Sequence, residues 1–97
     1  MYNFTIDRSL KAPAYRQLYF QISEYIEKGK ILSGEKLPKI RELASNLGIA
    51  RNTVEAAYKQ LALEGYAKGH RGIGYVVEDL DLSVFDGNAS GRGDSAL

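Results

Sequence analysis

The chain has 97 residues, 44% of them hydrophobic, with no cysteine, one histidine and a formal net charge of +1. That length supports one small domain with a single core and leaves little room for a second. The composition excludes disulfide frameworks, thiolate zinc sites and Cys/His catalytic pairs, and no apolar run is long enough for a signal peptide or a bilayer span, so the expectation is a soluble cytoplasmic protein.

Residues 3–7 alternate, with Phe4 and Ile6 on one side, a short strand-like segment too small to fold alone that has to lie against something else. Over residues 13–28 the apolar positions Tyr15, Leu18, Tyr19, Ile22 and Ile26 follow the spacing of one helical face. Pro13 suits its first turn and Gly29 its stop. Residues 31–34 read as a turn-bearing link, and Leu37-Pro38 leads into a second helix with Ile40, Leu43, Ala44 and Leu47 on one face, ended by Gly48. A third helix is predicted from about residue 51 to 64. Val54, Ala57, Tyr58 and Leu61 form its apolar face, Arg51, Asn52, Glu55, Ala56 and Lys59 its polar one, and Gly65 closes it.

After Gly65, residues 66–68 are a short extended run, 69–74 are rich in turn residues and 75–77 form a second strand, together a hairpin. From Glu78 onward the composition shifts to acids and then to Gly, Asn, Ser and Asp. The expected organisation is therefore one domain over residues 1–78 and an acidic, then Gly/Ser-rich, linker or tail over 79–97. The net charge conceals the same division. Residues 36–77 hold seven Lys/Arg against Glu42, Glu55 and Glu64, whereas five acids beyond residue 77 face Arg92 alone.

Two short helices joined by a Gly-containing turn, the second with polar side chains at its start and followed by a hairpin, have the outline of a winged helix-turn-helix: mainly α, three helices plus a wing. A helix start carrying Arg51, Asn52 and Thr53 can enter a major groove, with Arg51 or Asn52 at base edges and Thr53 at phosphate. The same pattern also describes an ordinary solvated helix start. Arg71 and Gly72 stand where a hairpin tip can reach a minor groove, although an exposed arginine on a tight turn is the plainer reading of that segment alone. His70 has no partners for a metal, and no acid/base pair or nucleotide fingerprint is present, so the chain is not expected to be an enzyme or to hold a cofactor or metal itself.

Taken together, residues 13–18 (Pro-Ala-Tyr-Arg-Gln-Leu), 34–38 (Gly-Glu-Lys-Leu-Pro), 41–44 (Arg-Glu-Leu-Ala), 51–54 (Arg-Asn-Thr-Val), 64–66 (Glu-Gly-Tyr) and 71–74 (Arg-Gly-Ile-Gly) resemble the GntR-type regulators. The resemblance runs from about residue 4 to 77. It implies DNA contacts from Arg41, Arg51, Asn52, Thr53, Arg71 and Gly72 and a homodimer on double-stranded operator DNA; the basic character of Lys39 adds it, in our own reading, as a further phosphate contact. The wording of residues 51–54 and of Tyr-Lys-Gln-Leu at 58–61 is similar to the MocR-like branch, in which an aminotransferase-like domain binding pyridoxal phosphate follows. Lys39, Ala50 and Tyr75 depart from the family pattern, which has hydroxyl residues there, so two expected helix caps are missing. A winged helix whose same surface meets a protein instead of DNA is the rival reading.

Overall fold

A computed structural model describes residues 3–78, so the expected tail at 79–97 lies outside the described residues. Three helices, α1 (Ala14–Glu27), α2 (Ile40–Leu47) and α3 (Arg51–Leu63), are followed by the strands β1 (Ala67–His70) and β2 (Gly74–Val77). This is the winged helix expected from the pattern, with helix bounds within a residue or two of those read from periodicity. Among the described residues no helix is long and apolar enough to cross a membrane.

The core forms where the apolar stripes of the helices meet. Leu18 and Ile22 of α1 and Val54, Ala57, Tyr58 and Leu61 of α3 are all 1% exposed or less, because α3 packs between α1 and α2 and also supports β1. Between α2 and α3 the chain must reverse within three residues, and Gly48 supplies the left-handed conformation at φ 67° that ends α2. The Ile49 N–H then donates to Ala44 O at 3.0 Å, a further backbone bond that closes the end of the helix.

The strand-like segment at 3–7 forms no strand among the described residues. Its backbone is held by two side-chain amides one turn apart on α1. Gln21 accepts from the Thr5 N–H at 2.9 Å and donates to Thr5 O at 2.6 Å, while Gln17 accepts from the Asp7 N–H at 2.8 Å and donates to Asp7 O at 3.0 Å. Each glutamine takes the place of a neighbouring strand's peptide group, and Phe4 is thereby pressed into the core at 5% exposure.

The wing differs from its sequence reading in two respects. β1 runs on through Gly69 and His70 and β2 begins at Gly74, so the tip is only residues 71–73. The cause is the cross-strand pair Gly69↔Tyr75: the Tyr75 ring lies 3.4 Å from the place a Gly69 Cβ would occupy, so an aromatic covers the glycine. The link before α2 also adds to the sheet. Lys36 bridges Val76, the Leu37 N–H donates to Tyr75 O at 2.9 Å, and the Val77 N–H donates to Glu35 O at 2.8 Å. The outer edge of β2 is thus paired by a segment 40 residues away that carries no strand pattern of its own.

Candidate nucleic-acid interface

The helix-turn-helix sets the start of α3 in the open because its other face is committed to the core. Arg51 and Asn52 are exposed and Thr53 is half-buried, one residue before the fully buried Val54. Lys39 and Arg41, at the start of α2, are exposed as well. Neither Lys39 nor Ala50 makes a side-chain cap hydrogen bond, as their departure from the usual hydroxyl residues led us to expect. The first N–H groups of both helices therefore have no such acceptor, at the ends where the helix dipole is positive.

Among the described residues the ion pairs are Lys28–Glu24 at 3.1 Å and Lys59–Glu55 at 3.7 Å, so Lys39, Arg41, Arg51 and Arg71 are not neutralised by a carboxylate. Arg71 and Gly72 sit at the exposed hairpin tip. Gly72 has φ 79°, and nothing lies within 4 Å of where its Cβ would be, so the backbone rather than crowding requires glycine there. His70 is the exposed last residue of β1 rather than a residue of the turn.

Two residues that sequence reasoning passed over organise this surface. Tyr58 of α3, expected only to fill the core, donates its hydroxyl to Pro38 O at 2.6 Å and sets its ring edge-on to Tyr75 at 5.2 Å. One side chain thus ties the middle of α3 to the start of α2 and to β2. Arg8 donates to Gly48 O at 2.8 Å, fastening the N-terminal segment to the turn between α2 and α3. No local pattern announces that contact, which joins positions 40 apart. The start of α1 also borders the start of α3, in a shallow cleft lined by Pro13, Tyr15, Asn52, Thr53 and Ala56.

Among the described residues, three helices, a sheet-edged hairpin and cations without a carboxylate partner at both helix starts and at the hairpin tip define a winged helix-turn-helix domain. The chain belongs to the GntR family of bacterial regulatory proteins, whose family model matches residues 14–77. Among curated proteins it is similar to the uncharacterized HTH-type transcriptional regulator YdeL of Bacillus subtilis, 49% identical over 63% of this chain and 13% of YdeL. It is 39% identical to the HTH-type transcriptional repressor YtrA of the same species, over 84% of this chain and 64% of YtrA. The MocR protein of Rhizobium meliloti, described as a probable rhizopine catabolism regulatory protein, is 37% identical over 77% of this chain and 15% of its own length. The chain thus spans less than two thirds of these relatives, which fall in more than one branch and do not single out the MocR-like one. Among solved structures, YtrA from Sulfolobus acidocaldarius, a GntR-family transcription factor, superposes with a TM-score of 0.75 at 42% identity, over 82% of this chain and 84% of that one. The AraR DNA-binding domain in complex with operator ORE1 superposes with a TM-score of 0.66 at 30% identity, over 79% and 94%.

Proposed function

We propose that this domain is a sequence-specific DNA-binding module of a transcription regulator, a binding protein rather than a catalyst, and that two copies read the half-sites of an operator. The start of α3 enters the major groove, where Arg51 and Asn52 meet base edges and Thr53, Lys39 and Arg41 meet phosphates. The hairpin tip enters the minor groove with Arg71, and Gly72 lets the backbone approach closely. The observation that carries this reading is the group of exposed cations, without a carboxylate partner among the described residues, at two helix starts that lack a side-chain cap and at the wing tip. The likeness to the AraR DNA-binding domain, solved in complex with an operator, supports double-stranded DNA as the partner.

The test is selection of duplexes from a random pool, followed by fluorescence anisotropy over a salt series. Wild type is expected to enrich one sequence and to lose affinity steeply with salt. Arg51→Ala is expected to lose the preference while keeping its thermal midpoint, because Arg51 is exposed. An unchanged preference in that variant overturns the assignment of α3, and absent or salt-insensitive binding by wild type transfers the surface to a protein partner. A MocR-like continuation, with a domain binding pyridoxal phosphate after residue 97, is supported by the match to MocR. The sequence of the full gene product tests it, and a short continuation like that of YtrA overturns it.

A further inference from the structure

Residues 8–12 form an exposed loop that precedes α1. Its ends are drawn together on that helix, because the Gln17 side-chain amide donates to Asp7 O at 3.0 Å and to Ala12 O at 2.8 Å. The carboxylate of Asp7, the acid that precedes the loop, accepts from the Ser9 N–H at 3.0 Å and from the Ser9 hydroxyl at 2.6 Å, so it is engaged within the turn itself. The loop is also tied to the helix-turn-helix at two places. Arg8 donates to Gly48 O at 2.8 Å, and the residues that follow the loop, Pro13, Ala14 and Tyr15, border Asn52, Thr53 and Ala56 across a cleft of about 260 Å³. The chain thus passes from the turn before α3 to the flank of α3, and it carries two cations on the way, Arg8 and Lys11.

We propose that this loop is a second phosphate-binding element, in which Lys11 and the remaining donors of Arg8 hold the DNA backbone that flanks α3 on its α1 side. The inference rests on the reading of α3 as the major-groove helix. A helix end in a groove about 12 Å wide lies between two walls of phosphate. Lys39 and Arg41, at the start of α2, serve one wall, and the loop stands at the other, where α1 borders α3. Contacts of this kind carry no base information, so the loop adds affinity without altering the preferred sequence.

Charge, donor supply and preorganisation all favour phosphate at this place. Among the described residues neither Arg8 nor Lys11 takes part in an ion pair, and the first turn of α1 carries no acid. Asp7 opposes the two cations, but Arg51 stands on the adjoining first turn of α3, and Glu55 one turn further on is paired with Lys59 at 3.7 Å. The local balance is therefore positive. A guanidinium presents five N–H donors in a planar fork, and the bond to Gly48 O leaves most of them for an acceptor in front of the loop. Because Gln17 already closes the loop, binding orders little further backbone. Residues 8–12 also precede residue 14, where the family match begins, so the contacts that the family implies do not include them.

The test compares Lys11→Gln, Arg8→Gln and Arg8→Lys with Lys30→Gln, which removes the same charge beyond the far end of α1. Affinity is read by fluorescence anisotropy over a salt series, on the selected duplex and on a scrambled one. Lys11→Gln is expected to bind both duplexes several-fold more weakly, with the slope of log affinity against log salt smaller by about one unit. Arg8→Gln loses a similar part of the slope and Arg8→Lys, which keeps the charge, recovers it, whereas Lys30→Gln keeps both affinity and slope. Duplexes with one uncharged methylphosphonate at each backbone position in turn locate the contact. Neutralising a phosphate that flanks the preferred sequence is expected to weaken wild type and to leave Lys11→Gln unaffected. Binding by Lys11→Gln no weaker than by Lys30→Gln, or a methylphosphonate profile identical to that of wild type, overturns the loop's role while wild-type selectivity upholds α3. Wild type with no sequence preference and no salt dependence removes the reading of α3, and the loop's role with it.

Discussion

Arg71 joins an exposed cation to a hairpin tip whose next residue, Gly72, has a left-handed backbone. In the proposed complex a side chain there answers to groove width and charge more than to single bases. Arg71→Ala is therefore expected to weaken binding to the selected duplex and to an A·T-rich competitor by a similar factor. The slope of log affinity against log salt should fall by about one unit, read by anisotropy. A variant that binds like wild type at every salt concentration leaves the wing a purely structural element. Tyr66 is governed by a different local chemistry. Its hydroxyl donates to the Glu27 carboxylate, and that bond, aided by burial and by the negative charges around it, raises the phenol above its ordinary value of 10.0. The folded protein holds this proton more tightly than the unfolded chain does. The contribution to stability is thus fully present below pH 10 and fades as pH rises through the raised folded value. Tyr66→Phe is expected to cost about 1 kcal/mol at neutral pH. In urea unfolding the gap between wild type and variant should close under alkaline conditions, and a gap that ignores pH removes the bond from the account.

Whole elements show which local rules the chain leaves unmet. Ala50 already has the extended geometry of a helix cap, φ −70° and ψ 148°, but makes no side-chain cap bond. Ala50→Ser supplies that acceptor without moving the backbone, and is expected to add about 1 kcal/mol, seen as a rise of several degrees in the thermal midpoint. An unchanged midpoint would mean that the start of α3 is already satisfied by other means. The three helices were legible beforehand because their signals are local: apolar residues every three or four positions, with Gly29, Gly48 and Gly65 at the stops. The bounds of the hairpin were not, since Gly69 and Gly74 read as turn residues until Tyr75 is seen lying across Gly69. Residues 3–7 were correctly expected to lie against another element. That Gln17 and Gln21 would hold them, rather than a strand, is written nowhere in their alternation.

At the scale of the molecule, the relation between helix-turn-helix and wing passes through Tyr58, whose ring is 1% exposed while its hydroxyl reaches Pro38 O at 2.6 Å. Tyr58→Phe keeps the packing and removes the bond. It is expected to destabilise the fold by about 1 kcal/mol, and to lower DNA affinity by loosening the start of α2 and the wing relative to α3. Far-ultraviolet circular dichroism should show the helix content retained. Full stability in this variant would assign the positioning to the Tyr58–Tyr75 ring contact instead.

The sequence by itself determined the class of the fold and the order and phase of its helices, and it proposed Lys39, Arg41, Arg51, Asn52, Thr53, Arg71 and Gly72 as DNA-facing residues. Each of these follows from neighbours within one or two turns, or from a family resemblance carried by short runs. Only the tertiary structure decided that residues 34–37 close the edge of β2, that Arg8 fastens the turn at Gly48, and that Gln17 draws together the ends of the loop at residues 8–12. Contacts between segments some 40 positions apart depend on which surfaces the closed chain brings together. Closing such a loop costs entropy that only the assembled core offsets, and a cost shared by the whole fold leaves no periodic mark on the residues that meet.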